Sequence, residues 1–175
     1  MNLEDRCRSI ELILCDVDGV LTDGGIVLDN QGIESKRFHV RDGLAVKLWQ
    51  KAGYKLGLLT QRSSQSLKVR ATELGIELIR QGIPDKVTAL KQVLRELGLA
   101  GPQVCYLGDD LPDLPVVRVV GLGVAVADAC AELRQAAHYV TTAAGGTGAL
   151  RETVELVLRA QSRWDDVIQP YLQQG

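Results

Sequence analysis

The chain has almost no surplus of charge: 20 Lys and Arg stand against 22 Asp and Glu, a formal net charge of −2 at pH 7. Nucleic acids and anionic membranes are bound through clustered cations, so this balance argues against either partner. A small anion needs only a local cluster, on which net charge is silent. Long apolar runs are missing too. The richest stretch, 114–127, is interrupted by Pro115, Arg118 and two glycines and falls short of the ~20 apolar residues that span a bilayer. The opening MNLEDRCRSIE is acidic and polar, so no secretory signal is expected. No CxxC pair occurs. Cys7, Cys15, Cys105 and Cys130 read as reduced, packed thiols of a cytoplasmic protein rather than as disulfides or zinc ligands. Internal repeats and low-complexity segments are absent as well. With 46% apolar and 24% charged residues, 175 residues allow one domain with a hydrophobic core. A single domain over 1–175 is therefore expected.

What is present is alternation. Short apolar runs at 10–15, 55–60, 76–80, 104–108, 121–127 and 138–142 read as strands. Between several of them lie segments of helical period, at 42–52, 64–74 and 85–97, closed by Gly53, Gly75 and Gly98. A last long helix is expected from about Ala149 past Arg159, with a tail to 175, behind the glycine-rich AAGGTG. The pattern means βαβ units: an α/β fold of Rossmann-like type, with a parallel sheet and helices on both faces. One segment departs from it. Residues 24–40 hold two extended runs around Asp29-Asn30-Gln31-Gly32, a hairpin inserted after the first strand and projecting over its end.

In such a sheet ligands bind beyond the carboxyl ends of the strands, so the residues that follow each strand matter most. Asp16 and Asp18 follow the first, in LILCDVDGVLTDGG. Thr60, Gln61 and Arg62 follow the second, Lys86 opens the helix after the third, and Gly108, Asp109, Asp110 and Asp113 follow the fourth. Taken singly, each has a bland reading as turn former, helix cap or solvated lysine. Together, in order at successive strand ends, they form a set suited to a divalent cation and a phosphate. Mg²⁺ takes hard oxygen ligands and relieves the repulsion among the acids. Thr60 can hydrogen-bond a phosphoryl oxygen and Lys86 can neutralise another.

DVDGVLT (16–22), Thr60, Lys86 and GDDLPD (108–113) resemble the four motifs of the haloacid dehalogenase superfamily phosphatases. DVDGVLTDG, the hairpin, FHVRDG (38–43), GDDLPDLPV, AVADA and AAGGTGALRE narrow the resemblance to the 3-deoxy-D-manno-octulosonate 8-phosphate phosphatase family, over about residues 10–161. The resemblance implies a HAD-like fold and a two-step, Mg²⁺-dependent phosphomonoester hydrolysis. Asp16 would be the nucleophile and Asp18 the general acid and base. Asp16, the main-chain carbonyl of Asp18, and Asp109 would hold the metal. Thr60 and Lys86 would hold the phosphoryl group, with Asp110 and Asp113 orienting Lys86 or metal-bound water. Two positions depart from the family pattern: Gln61 stands where glycine is usual, and Thr147 where arginine is common.

Many members of the superfamily carry a cap domain over the site, and this chain has no interval long enough for one. A capless site needs another wall, and the family resemblance implies a homotetramer in which a neighbouring subunit supplies it. Ile26, Val27, Leu28 and Phe38 of the hairpin are candidates for that contact, or else pack on their own subunit. A sugar-acid phosphate also carries a carboxylate, for which arginine forks are suited. Arg62 and Arg70 are the foremost candidates, with Arg41 and Arg151 open between substrate and structural ion pairs. The rival readings are a phosphatase of another sugar-acid phosphate (a nonulosonate 9-phosphate), a receiver domain, and a non-catalytic binding or assembly module. In a receiver domain the lysine comes last, whereas Lys86 precedes GDDLPD.

Overall fold

The computed structural model describes residues 1–173. Its elements run α1 (Leu3–Arg8), β1 (Leu12–Cys15), β2 (Val27–Leu28), β3 (Glu34–Ser35), α2 (Val40–Lys51), β4 (Lys55–Leu59), α3 (Gln65–Leu74) and β5 (Leu78–Arg80). There follow α4 (Lys86–Leu97), β6 (Val104–Gly108), α5 (Leu114–Val117), β7 (Leu122–Ala125), α6 (Ala131–Ala136), β8 (Tyr139–Val140), α7 (Ala149–Ala160) and α8 (Trp164–Leu172).

Six strands form one sheet in the order β5-β4-β1-β6-β7-β8, all pairs parallel. The chain builds outward from β1 to one side, then returns to build outward to the other, so β1 lies at the topological switch point. A crevice opens at the carboxyl end of such a strand. Leu12, Ile13, Leu14 and Cys15 are all fully buried, as expected for a parallel strand covered on both faces. Cys15 stands opposite Leu58 of β4 and Leu107 of β6. The residues just after all three strands therefore converge. Helices α1, α2, α7 and α8 pack together as one layer, and α4, α5 and α6 form a second group.

Helix ends follow local chemistry. Asp85 caps α4 by accepting from the N–H groups of Val87 and Thr88 at 2.9 and 3.2 Å, which sets Lys86 as its first residue. Gly75 and Gly98 close α3 and α4 in the left-handed conformation that glycine adopts most readily. Asp42, buried in the first turn of α2, accepts from the N–H of Arg151 at 2.9 Å and so ties α2 to the start of α7.

The sequence expectations need some adjustment. The apolar runs 121–127 and 138–142 pair only over Leu122–Ala125 and Tyr139–Val140. Helices α1, α5 and α6 have four to six residues, too few for a periodic signal. The expected C-terminal helix ends at Ala160. Ser162, with φ 55°, turns the chain, and much of the expected tail forms α8. The tail's last two residues, 174 and 175, lie outside the described residues.

The hairpin is present but slight. Val27 pairs with Ser35 and Leu28 with Glu34, antiparallel. Asp29 organises the turn by accepting from the N–H groups of Gln31 and Ile33, both at 2.8 Å. Ile26, Val27 and Leu28 are 59%, 61% and 59% exposed, so packing on their own subunit is excluded for these three. Only Phe38 rests against the core.

Candidate active site

Asp16 leaves β1 with its N–H bonded to the Leu107 carbonyl at 3.0 Å, and its Oδ1 accepts from the Val17 N–H at 2.7 Å. The chain then coils tightly. The N–H groups of Val20, Leu21 and Thr22 all donate to the Val17 carbonyl, and Thr22 Oγ1 accepts from the N–H groups of Gly19 and Gly24. Gly19 has φ +84°, and a Cβ there would lie 2.1 Å from Asp109 Oδ2. Only glycine lets these two acidic loops come so close. The glycine-rich loop braces the other side: a Cβ on Gly145 would sit 1.8 Å from the Gly19 carbonyl oxygen, and the Gly146 N–H donates to Val20. Glu152 anchors that loop by accepting from the N–H groups of Thr142 and Ala143.

Lys86 is buried between two carboxylates, 2.6 Å from Asp16 Oδ2 and 2.5 Å from Asp113 Oδ1. Asp113 is fully engaged. Its Oδ1 also accepts from the Tyr106 hydroxyl at 2.6 Å, and its Oδ2 from the N–H groups of Asp109 and Asp110 at 3.0 and 3.3 Å. Burial alone would lower the Lys86 pKa, but Asp113 and Asp16 outweigh it and raise it, so the ammonium is kept. Burial raises Asp16 to about 6, with Lys86 opposing and Asp113 adding to the rise. Asp109 rises to about 8 through burial and the nearby Asp113 and Asp16 carboxylates.

Carboxylate oxygens of Asp16, Asp109 and Asp113 lie within 4.8 Å of one another. Three carboxylates facing one ammonium leave two negative charges uncompensated, which a divalent cation would balance. Asp113 already has four hydrogen-bonding partners, so the acids with acceptor capacity left are Asp16, with one partner on each oxygen, and Asp109. Their hard oxygens, at the mouth of an open cleft, fit Mg²⁺. The side chain of Asp18 is directed elsewhere: it contacts Lys36 and lies 3.8 Å from Arg62.

The cleft, about 230 Å³, is lined by Asp16, Asp18, Thr60, Arg62, Asp109 and Asp110 among others. Thr60 is buried, with its N–H bonded to the Arg80 carbonyl at 2.9 Å. The side chain of Gln61 donates to the Pro84 carbonyl at 3.4 Å. Among the described residues Ser162 is the only non-glycine with positive φ, so the backbone at Gln61 does not require the usual glycine. Arg62 borders the cleft as expected. Arg70 does not join it: it lies within α3, pairs with Glu73 and lines a separate small cavity with Phe38, His39 and Asp42. Arg41 is exposed at the start of α2. Arg151 is held by Glu155 at 2.5 Å and stacks on Trp164, which accounts for it structurally. Sequence reasoning missed Glu34, Lys36 and Tyr106. Glu34 and Lys36 left no local signal, because their contacts with Arg62 and Asp18 join distant parts of the chain; the hydrogen bond of Tyr106 depends on how β6 meets the loop after it.

Comparison with known proteins agrees with this geometry. The family description of haloacid dehalogenase-like hydrolases matches residues 68–151. The 3-deoxy-D-manno-octulosonate 8-phosphate phosphatase KdsC of Yersinia pestis is 46% identical over 158 residues, covering 90% of this chain and 84% of the relative. Its Escherichia coli counterpart is 42% identical over 161 residues, covering 92% and 86%. The crystal structure of the Moraxella catarrhalis phosphatase of the same name, in complex with magnesium, phosphate and KDO, superposes with a TM-score of 0.94. That protein is 42% identical, over 96% of this chain and 97% of its own. Fold, switch-point acids and relatives coincide: the chain belongs to the haloacid dehalogenase-like hydrolases, within the family of 3-deoxy-D-manno-octulosonate 8-phosphate phosphatases.

Proposed function

We propose that this protein is a Mg²⁺-dependent phosphomonoesterase that converts 3-deoxy-D-manno-octulosonate 8-phosphate to 3-deoxy-D-manno-octulosonate and phosphate. The observation that carries the reading is Asp16: a carboxylate at the switch point, in contact with a buried lysine and facing Asp109. Asp16, Asp109 and the main-chain carbonyl of Asp18 would hold Mg²⁺, which would supply positive charge against the negative charge of the phosphoryl group. An Asp16 oxygen attacks phosphorus, forming an aspartyl-phosphate as the bond to the sugar oxygen breaks. Asp18 gives its proton to that leaving oxygen. It then takes a proton from the water that cleaves the aspartyl-phosphate and returns Asp16 as a carboxylate. Lys86 and Thr60 hold phosphoryl oxygens. Asp113 and Tyr106 keep Lys86 on Asp16, and Arg62, on the cleft rim, meets the sugar acid.

The whole chain works as one domain, and it works as a homotetramer. The hairpin's Ile26, Val27 and Leu28 are exposed in the single subunit and the cleft is open, so a neighbouring subunit is the economical way to bury the first and close the second. The test is phosphate release, with Mg²⁺ and with chelator, from the octulosonate 8-phosphate beside a nonulosonate 9-phosphate and simple sugar phosphates. Metal-dependent preference for the first is expected. Equal release from all would deny the substrate, and no release would deny the reaction.

A further inference from the structure

The rim of the cleft carries four charged groups of alternating sign, two of them from the hairpin arm. Lys36 Nζ contacts Asp18 Oδ1 and lies 3.4 Å from Glu34 Oε2. Arg62 closes the ring, 2.5 Å from Glu34 Oε1 through Nη2 and 3.8 Å from Asp18 Oδ2 through Nε. The Lys36 side chain is only 2% exposed and that of Glu34 15%, so these are not loose surface pairs. Two cations therefore converge on one carboxylate, directly beside the proposed general acid. A guanidinium fork and an ammonium in this arrangement make a receptor for a carboxylate, and the chain has filled it with one of its own.

We propose that Glu34 is an internal stand-in for the carboxylate of the substrate, and that Lys36 and Arg62 are the receptor it vacates, making Glu34 and Lys36 specificity-determining residues. This rests on the reading that the substrate bears a carboxylate besides its phosphate. Exchange of one carboxylate for another leaves neither the buried Lys36 ammonium nor the rim Arg62 guanidinium unpaired, which would otherwise oppose the opening of the ring. Only the Glu34 side chain has to leave its two partners; the hairpin backbone can stay in place. A phosphate ester without a carboxylate offers no replacement, so it must work against a Glu34 still held by Lys36 and Arg62 beside Asp18.

The experiment compares the wild type with Glu34→Gln and Lys36→Gln, near-isosteric changes on the hairpin arm and outside the hydrophobic core. KM and kcat are measured for the sugar-acid phosphate and for a pentose 5-phosphate lacking the carboxylate. Binding of the phosphate-free sugar acid is measured by titration calorimetry as a readout independent of turnover. The expected result for Glu34→Gln is a KM ratio shifted about tenfold in favour of the sugar acid, with tighter binding of the free acid. For Lys36→Gln the ratio shifts about tenfold the other way and binding weakens, the scale of a lost charge-assisted hydrogen bond. If both variants change the two KM values by the same factor, or Glu34→Gln weakens sugar-acid binding, the ring only pins the hairpin and the proposal fails. A wild type that treats both esters alike overturns the substrate reading itself. Preference retained with unchanged ratios in the variants overturns this inference alone.

Discussion

At the scale of single residues, Asp16 and Asp18 are two positions apart and live in different surroundings. The first meets Lys86 at 2.6 Å inside the acid cluster; the second turns away to Lys36 and Arg62 on the rim. Two carboxylates on one loop can thus take different tasks, because one faces the acid cluster and its lysine and the other faces the open cleft. Asp18→Asn should keep Mg²⁺ affinity within a few-fold, since only its carbonyl is proposed as a ligand. It should lower kcat by roughly 10²–10⁴, the usual contribution of general acid–base catalysis. Calorimetric titration with Mg²⁺ beside steady-state kinetics checks both; collapse of metal binding would make its carboxylate a ligand. Asp16→Asn should leave a folded protein with no measurable turnover.

Among the elements, the hairpin is the one whose sequence is at odds with its surroundings. A β2 arm of Ile26, Val27 and Leu28 facing water is an unpartnered apolar surface, and its two-residue strands add little stability of their own. Replacing Ile26 and Leu28 together by Asp should give single subunits in sedimentation experiments where the wild type sediments as the proposed tetramer. Activity would fall with it, while the melting temperature of the subunit changes little, since neither side chain lies in its core. A tetramer that survives the double substitution would show that another surface holds it.

For the molecule as a whole, the sheet order gathers charge that the fold by itself does not balance. With Asp16 raised to about 6 and Asp109 to about 8 above an ordinary carboxylate value of 3.8, the metal-free folded protein holds protons that the unfolded chain has released. Between about pH 4 and about pH 8 its stability therefore falls as pH rises. Thermal denaturation in chelator should show a melting temperature lower at pH 8 than at pH 5 by on the order of 5 °C. Added Mg²⁺ should raise it more at pH 8, where the carboxylates are bare, than at pH 5. A metal-free melting temperature that climbs across this range would mean the acids are compensated by something other than a cation.

Much of this was determined by the sequence alone. Runs of five or six largely apolar residues at 10–15, 55–60 and 104–108 marked parallel strands, and Asp16, Thr60 and Asp109 at their ends marked the edge proposed to bind a ligand, because burial on both faces demands continuous apolar strands. The stops at Gly75 and Gly98 marked helix ends, because glycine takes the left-handed turn at no cost in side-chain clash. The short helices α1, α5 and α6 left no trace, since four to six residues carry less than two turns of period. What only the tertiary structure decided is which side chains meet. Asp113 was one of several acids until Lys86, Tyr106 and two backbone N–H groups were seen to occupy its oxygens. Arg62 and Arg70 looked alike until the fold put the loop after β4 and the body of α3 at different cavities. Lys36 and Glu34 gained meaning only when the hairpin folded back over Asp18. Periodicity is local and survives in one dimension, whereas a contact between residues 18 and 36 or 16 and 86 depends on packing of the whole sheet.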